Sequence, residues 1–335
     1  MTKPKLILDV DTGSDDAVAL ALAMLGGEAE LLGITTVNGN LELKLTTDNT
    51  LRVVDLCGMG DRVPVYPGCA YPLVSTLNPH SAQSLRPIPK REGSGTGQFG
   101  MHSDHLPLPA TALAPQKTSA VVWMIETVMA APPGTITIVA LGPLTNLATA
   151  MRAQPGFAER LQRIVLMGGG DATGNETAAA EFNIWTDPEA AEILLQSGVP
   201  ITMIPLDATH QAFLSAAQAE EIEAIGTPLA RFVAALLRDR IAGYAKRDPE
   251  MAAKKIAPLH DALALCYALH PGCIRRSVEA VCHVDLGGGA AYGRTVLDRR
   301  ANMVQEKPNC TFALEPDRAF FCDWLIGILR RAAKH

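Results

Sequence analysis

The chain has 335 residues, of which 48% are hydrophobic and 19% charged, a composition that fits a well-buried globular protein and excludes an extended disordered one. Its net charge of -6 and pI near 5.8 give a global field that does not favour nucleic acid or acidic membranes. The sequence holds no signal-like apolar core and no apolar run of about 18 residues, and its seven scattered cysteines have no CxxC spacing. Reduced thiols and a cytoplasmic location are therefore expected, with no membrane and no nucleic acid as partner.

In chain order, Lys5–Val10 reads as a buried strand and Ala17–Leu25 as an apolar helix, joined by the tight turn Thr12-Gly13-Ser14. Strands over Leu31–Val37, Ile136–Leu141, Arg163–Met167 and Ile201–Pro205 then alternate with helices over Leu43–Cys57, Ala120–Ala130, Leu144–Ala153 and Pro188–Gln196. This alternation predicts an α/β fold: a single large domain, 1–335, with a mainly parallel, Rossmann-like central sheet flanked by helices. Residues 78–115, rich in Pro, Gly, Ser and His, lack hydrophobic periodicity and are expected to form an active-site loop. Ser215 to His270 reads as helical, with a helical insertion over 215–258. A small C-terminal β/α extension follows, with β-like runs at Val278–Leu286, Gly293–Asp298 and Cys310–Leu314 and a final amphipathic helix from Arg318 to Ala333.

Asp9, Asp11, Asp15 and Asp16 cluster at the carboxyl end of the first strand, where open α/β sheets bind their ligands. Like charges this close repel unless a cation holds them, and carboxylates are hard oxygen ligands suited to Ca²⁺ or Mg²⁺. Helix capping explains Asp15 and Asp16 but not Asp9 and Asp11 on the strand. "VALGPLTNLA" (139–148) and "MGGG" (167–170) each follow a strand, and the second lacks the spacing of a dinucleotide loop. "GNETAAAEFNIWTDPEAA" (174–191) offers Asn175, Glu181 and Asn183, side chains able to grip a polyol, or else ordinary turn and cap residues. "LHDALALCYALH" (259–270) opens a helix with His260 and Asp261, a candidate acid/base pair.

Taken together, "DVDTGSDDA", "TTVNGN", "ALGPLTNLA", "LMGGG", "NETAAAEFN" with "DPEAA", and "HDALA" resemble, in order, the motifs of the nucleoside hydrolase family, the inosine/uridine-preferring nucleoside N-ribohydrolases. The resemblance spans Lys5 to about Leu269. It implies hydrolysis of the N-glycosidic bond of ribonucleosides to free base and ribose. It also implies Ca²⁺ held by the carboxylates of Asp11, Asp16 and Asp261 and the carbonyl of Leu141. Asp11 would be the general base and His260 the leaving-group acid. Asp15, Asn40, Asn175, Glu181 and Asn183 match the positions that hold the ribose hydroxyls, and Met167 matches a residue near the sugar. A homotetramer or homodimer is implied as well.

The chain departs from the family pattern at two places. Thr12 stands where Pro is usual, and "SGTGQFG" (94–100) replaces the His-Gly-x-Asp-Gly loop, with His102 and His105 as substitutes nearby. The purine-specific subgroup uses Trp stacking in place of the acid; this chain keeps His260 and has three Trp, which points to pyrimidine or mixed preference. Two other readings compete. "LILDVDTG" is similar to the start of haloacid-dehalogenase-type Mg²⁺ phosphatases, but Gly13 stands where Thr or Val is expected. A non-catalytic nucleoside-binding protein would lack the acid or the base.

Overall fold

The computed structural model describes residues 3–74, 104–300 and 306–334. Its strands are β1 (Lys5–Val10), β2 (Glu30–Thr36), β3 (Val65–Pro67), β4 (Ile136–Ala140), β5 (Arg163–Met167), β6 (Ile201–Ile204), β7 (Phe213–Ser215), β8 (Ile256–Pro258), β9 (Ile274–Val284), β10 (Thr295–Asp298) and β11 (Cys310–Pro316). Nine of these form one sheet in the order β10-β9-β11-β6-β5-β4-β1-β2-β3. From β3 to β11 all neighbours run parallel, and only the β11–β9 and β9–β10 pairings at the far edge are antiparallel. The segment β3-β2-β1-β4-β5-β6 has the doubly wound order, and the chain leaves β1 toward β2 on one side and later resumes beside it at β4. That junction is the topological switch point, where the crevice of such sheets opens.

Alternation along β1 sorts its side chains between two cores. Leu6, Leu8 and Val10 face the layer built from helices Ser14–Leu25, Leu43–Leu56, Pro228–Ala245, His260–Leu269 and Arg318–Ala332. Ile7 faces the layer of helices Ala120–Ala130, Thr145–Ala153 and Pro188–Leu195. A sheet covered on both faces explains why its strands read as unbroken apolar runs.

The predicted strands and long helices are all present, with ends shifted by a few residues. The segment expected to be helical from Ser215 to His270 also contains β8, which pairs antiparallel with β7, and β9 begins at Ile274 instead of Val278. Of the predicted loop, Asn78 to Ser103, with His102, lies outside the described residues. Its return at Asp104 to Leu108 is tied to helix Leu43–Leu56: Asn49 bonds Asp104 O and Leu106 N, and Arg52 bonds Leu108 O. His105 Nδ1 lies 3.0 Å from Asp48 Oδ2 on the same helix.

Candidate active site

The switch point gathers the acids. Helices Ser14–Leu25 and His260–Leu269 pack together, and their first turns bring carboxylate oxygens of Asp15, Asp16 and Asp261 all within 4.8 Å of one another, every one buried. The first helix begins there because the backbone N–H of Gly13 donates to Asp16 Oδ2 at 2.9 Å, a cap from the third helical position. Asp16 Oδ1 also accepts from Asp11 N at 3.3 Å. The tightest trio thus contains Asp15, expected on the sugar, while Asp11 sits alongside on the turn after β1.

Two glycines make room for Asp11. A Cβ at Gly39 would lie 2.0 Å from Asp11 Oδ2, and one at Gly142 would lie 2.9 Å from Oδ1. The "VNGN" and "ALGP" turns therefore carry glycine because backbone passes directly against this carboxylate. Asn40 N donates to Asp11 Oδ2 at 2.6 Å, and Asn40 Nδ2 reaches Asp11 O and Asp16 Oδ2 at 3.4 Å each. Asp9 stands apart: its Oδ1 accepts from Thr35 Oγ1 at 2.6 Å and Asn146 Nδ2 at 2.8 Å.

The residues expected on the sugar spend part of their polarity locally. Glu181 caps helix Phe182–Thr186, accepting from Gly169 N, Asn183 N and Ile184 N. Asn183 Nδ2 donates to Leu141 O at 2.7 Å and Met167 O at 3.1 Å, which draws the ends of β4 and β5 together beside the acids. Asn175 is exposed, its Oδ1 accepting from Phe182 N, so the structure leaves it outside the buried group.

His260 is buried with both ring nitrogens engaged: Nε2 lies 2.6 Å from Tyr244 Oη and Nδ1 lies 2.7 Å from Thr209 Oγ1. The His210 ring packs against it, centroids 5.6 Å apart. Tyr244 lies on helix Pro228–Ala245, and one turn earlier the same helix carries Arg240. Arg240 Nη1 donates to Asp15 Oδ1 and Ser14 Oγ, each at 2.9 Å, and Nε donates to Pro258 O at 3.0 Å. Sequence reasoning missed Arg240. Its signal was a charge on the apolar stripe Leu229, Val233, Leu236, Leu237, Tyr244, where a solvated arginine does not belong.

The electrostatics ask for a counter-charge. Burial, and then the charges of Asp15 and its neighbours, push the carboxyls of Asp11, Asp16 and Asp261 up, Asp16 to about 7. Asp11 Oδ1 is buried with no hydrogen-bond partner among the described residues, an arrangement costly for a carboxylate in protein interior. Four acids exceed what Arg240 can balance. An all-oxygen donor set with an unspent buried oxygen fits a hard divalent cation.

Carboxylates gathered at the switch point of a doubly wound sheet, with a hydrogen-bonded histidine beside them, define a hydrolytic α/β enzyme. The chain belongs to the inosine-uridine preferring nucleoside hydrolase family, whose sequence profile matches residues 6–323. It is 39% identical over 325 residues to the pyrimidine-specific ribonucleoside hydrolase RihA of Salmonella enteritidis PT4, covering 96% of each chain. It is 38% identical over 330 residues to RihA of Escherichia coli, covering 97% of this chain and 98% of that one. Among solved structures, the purine-preferring ribonucleoside hydrolase from Gardnerella vaginalis superposes with a TM-score of 0.84 at 31% identity, covering 98% of this chain and 99% of that one. A plant nucleoside hydrolase, PpNRh1, superposes at 0.83 with 27% identity over the same shares. The chain is therefore an enzyme that hydrolyses the N-glycosidic bond of ribonucleosides, in a metal-dependent family, and the phosphatase reading is set aside.

Proposed function

We propose that this enzyme is a Ca²⁺-dependent ribonucleoside hydrolase with a preference for pyrimidine ribonucleosides. Asp11, Asp16, Asp261 and the carbonyl of Leu141 would hold the cation. Bound, it supplies Lewis acidity, acidifying water and offsetting the negative charge of the acids. Asp11 takes the proton of the attacking water as its hydroxide equivalent adds to C1′ of the ribose. The C1′–N bond breaks through an oxocarbenium-like sugar, as in glycoside cleavage, and the buried carboxylates favour that developing positive charge. The bond's electron pair leaves with the base nitrogen, which takes a proton from His260 with Tyr244 hydrogen-bonded to it. Asp15, Asn40, Glu181 and Asn183 serve the ribose hydroxyls, Asn175 joins them only by the resemblance since it lies exposed outside the buried group, and Met167 flanks the sugar.

The observation that carries the reading is the convergence of Asp11, Asp15, Asp16 and Asp261 beside the His260–Tyr244 pair. The pyrimidine preference rests on the RihA relatives, which are nearer in sequence than the purine-preferring neighbour, and on His260 being retained. Residues 78–115 are assigned on sequence as an active-site loop, with His102 and His105 as candidates for base recognition. A homodimer or homotetramer in the cytoplasm completes the proposal; all seven cysteines are free thiols, and among the described residues no helix is long and apolar enough to cross a membrane. The test is base release from uridine, cytidine, inosine and adenosine with elemental analysis of the purified enzyme. Release from none of them, or inosine cleaved far faster than uridine, would overturn the activity or the preference respectively.

A further inference from the structure

We infer that Arg240 is a positioning residue that fixes Asp15 for the ribose, withholds it from the cation, and thereby sets discrimination at the 2′-hydroxyl; this rests on the sugar-side reading of Asp15 above. Arg240 and Asp15 form an ion pair with side chains only 1% and 8% exposed. Three hydrogen bonds orient the guanidinium: to Asp15 and Ser14 in the first turn of helix Ser14–Leu25 and to the Pro258 carbonyl at the end of β8. Pro258 ends β8, two residues before His260 and three before Asp261. The planar fork is therefore fixed by both chain segments that build the site, a task for which arginine is preorganised and lysine is not.

This anchoring divides the acids. Asp15, Asp16 and Asp261 are clustered closely enough for any of them to ligate one ion. Asp15 Oδ1 is already bonded by a permanent cation, which repels a second positive ion approaching the same oxygen. Asp16, by contrast, accepts from neutral donors, the backbone of Asp11 and Gly13 and the amide of Asn40. Asp16 and Asp261 remain available to the ion, and Asp15 stays directed by Arg240. Arg240 Nη2 is buried with no hydrogen-bond partner among the described residues. Such a donor is costly, and a sugar hydroxyl entering beside Asp15 would satisfy it.

The test is a double-mutant cycle read as the ratio of kcat/KM for uridine over 2′-deoxyuridine, with Ca²⁺ calorimetry on chelator-stripped protein. Arg240→Gln is expected to lower the ratio by about 10²-fold, the scale of misplacing an aligned group. The double variant Arg240→Gln with Asp15→Asn should show the ratio of Asp15→Asn alone, because Arg240 acts through Asp15. Ca²⁺ affinity of Arg240→Gln should equal or exceed that of wild type. An equal loss on both substrates, additive effects in the cycle, or a Ca²⁺ affinity lowered tenfold or more overturns the role of Arg240. Should Arg240→Gln show no cooperative unfolding, Arg240→Lys replaces it. That variant keeps the charge and loses the fork, so the ratio should drop about tenfold with Ca²⁺ binding retained, and an unchanged ratio overturns the inference. Asp15→Asn leaving the ratio intact removes the sugar-side reading itself, which separates that failure from a failure confined to Arg240.

Discussion

Tyr244 Oη stands 2.6 Å from His260 Nε2, and burial pushes the tyrosine up to about 12, so the phenol stays protonated through the neutral range. With Thr209 Oγ1 at 2.7 Å from Nδ1, the imidazole is fixed in orientation and both ring nitrogens are joined to hydroxyls. A proton can then reach a departing base from the His260–Tyr244 pair without reorganising the ring.

That pairing predicts a selective defect. General acid catalysis contributes about 10²–10⁴-fold, so His260→Ala should lose that much on uridine. A p-nitrophenyl riboside leaves as a stable phenolate and needs little protonation, so the same variant should cleave it nearly as fast as wild type. Tyr244→Phe removes one hydrogen bond and should lose about tenfold on uridine only. Comparing kcat on the two substrates decides it: equal losses on both would make His260 a structural residue.

Gly39 offers a steric test of Asp11 as the proposed base. Any Cβ there would sit 2.0 Å from Asp11 Oδ2, inside contact distance, so Asp11 must move. Gly39→Ala is expected to lose about 10²-fold or more in kcat/KM, with Ca²⁺ affinity lowered and the far-ultraviolet circular dichroism unchanged. Activity within twofold of wild type would contradict the close approach.

How much of this was legible differs by element. The parallel sheet was, because strands buried on both faces alternate with helices long enough to show their period. β3 and β8, three residues each, were not, since so short a run has no periodicity and is held by its partners. Glycines 39 and 142 stand inside the quoted motifs "TTVNGN" and "ALGPLTNLA"; only the fold shows that each lies against Asp11. Asn175 and Glu181 were ambiguous between polyol ligands and cap chemistry, and in the structure Glu181 forms a cap. Arg240 meets Asp15 from 225 positions away, a distance no local pattern encodes.

Chelation tests the cation directly. Exhaustive stripping should abolish uridine hydrolysis and Ca²⁺ should restore it, because the cluster holds more carboxylate than Arg240 balances. Asp11→Asn should lose nearly all turnover while retaining a cooperative fold, since Asp11 Oδ1 has no protein partner among the described residues. Full activity in enzyme shown metal-free by elemental analysis would end this mechanism.

The same acids predict an unusual pH dependence of stability. Burial pushes Asp9, Asp16 and Glu181 up to about 7, and Asp11 and Asp261 also rise, by burial and by the neighbouring charges. In the unfolded chain, carboxyls titrate near 4. Between about pH 4 and 7 the metal-free folded protein therefore holds protons that the unfolded chain has released. The stability that Asp9, Asp16 and Glu181 contribute is full below about pH 4 and is lost as pH rises through about 7, and the raised carboxyls of Asp11 and Asp261 act in the same direction. Asp298 and Asp317 are shifted down, so their contribution changes only in more acidic solution. The Tm of stripped protein should thus fall from pH 5 to pH 8. A divalent cation binds the ionised carboxylates, so its stabilisation grows with pH. Scanning calorimetry with Ca²⁺ and with chelator should show the gap in Tm widening across that range. A gap that stays constant or narrows would mean that the buried carboxylates neither carry these protons nor exchange them for the ion.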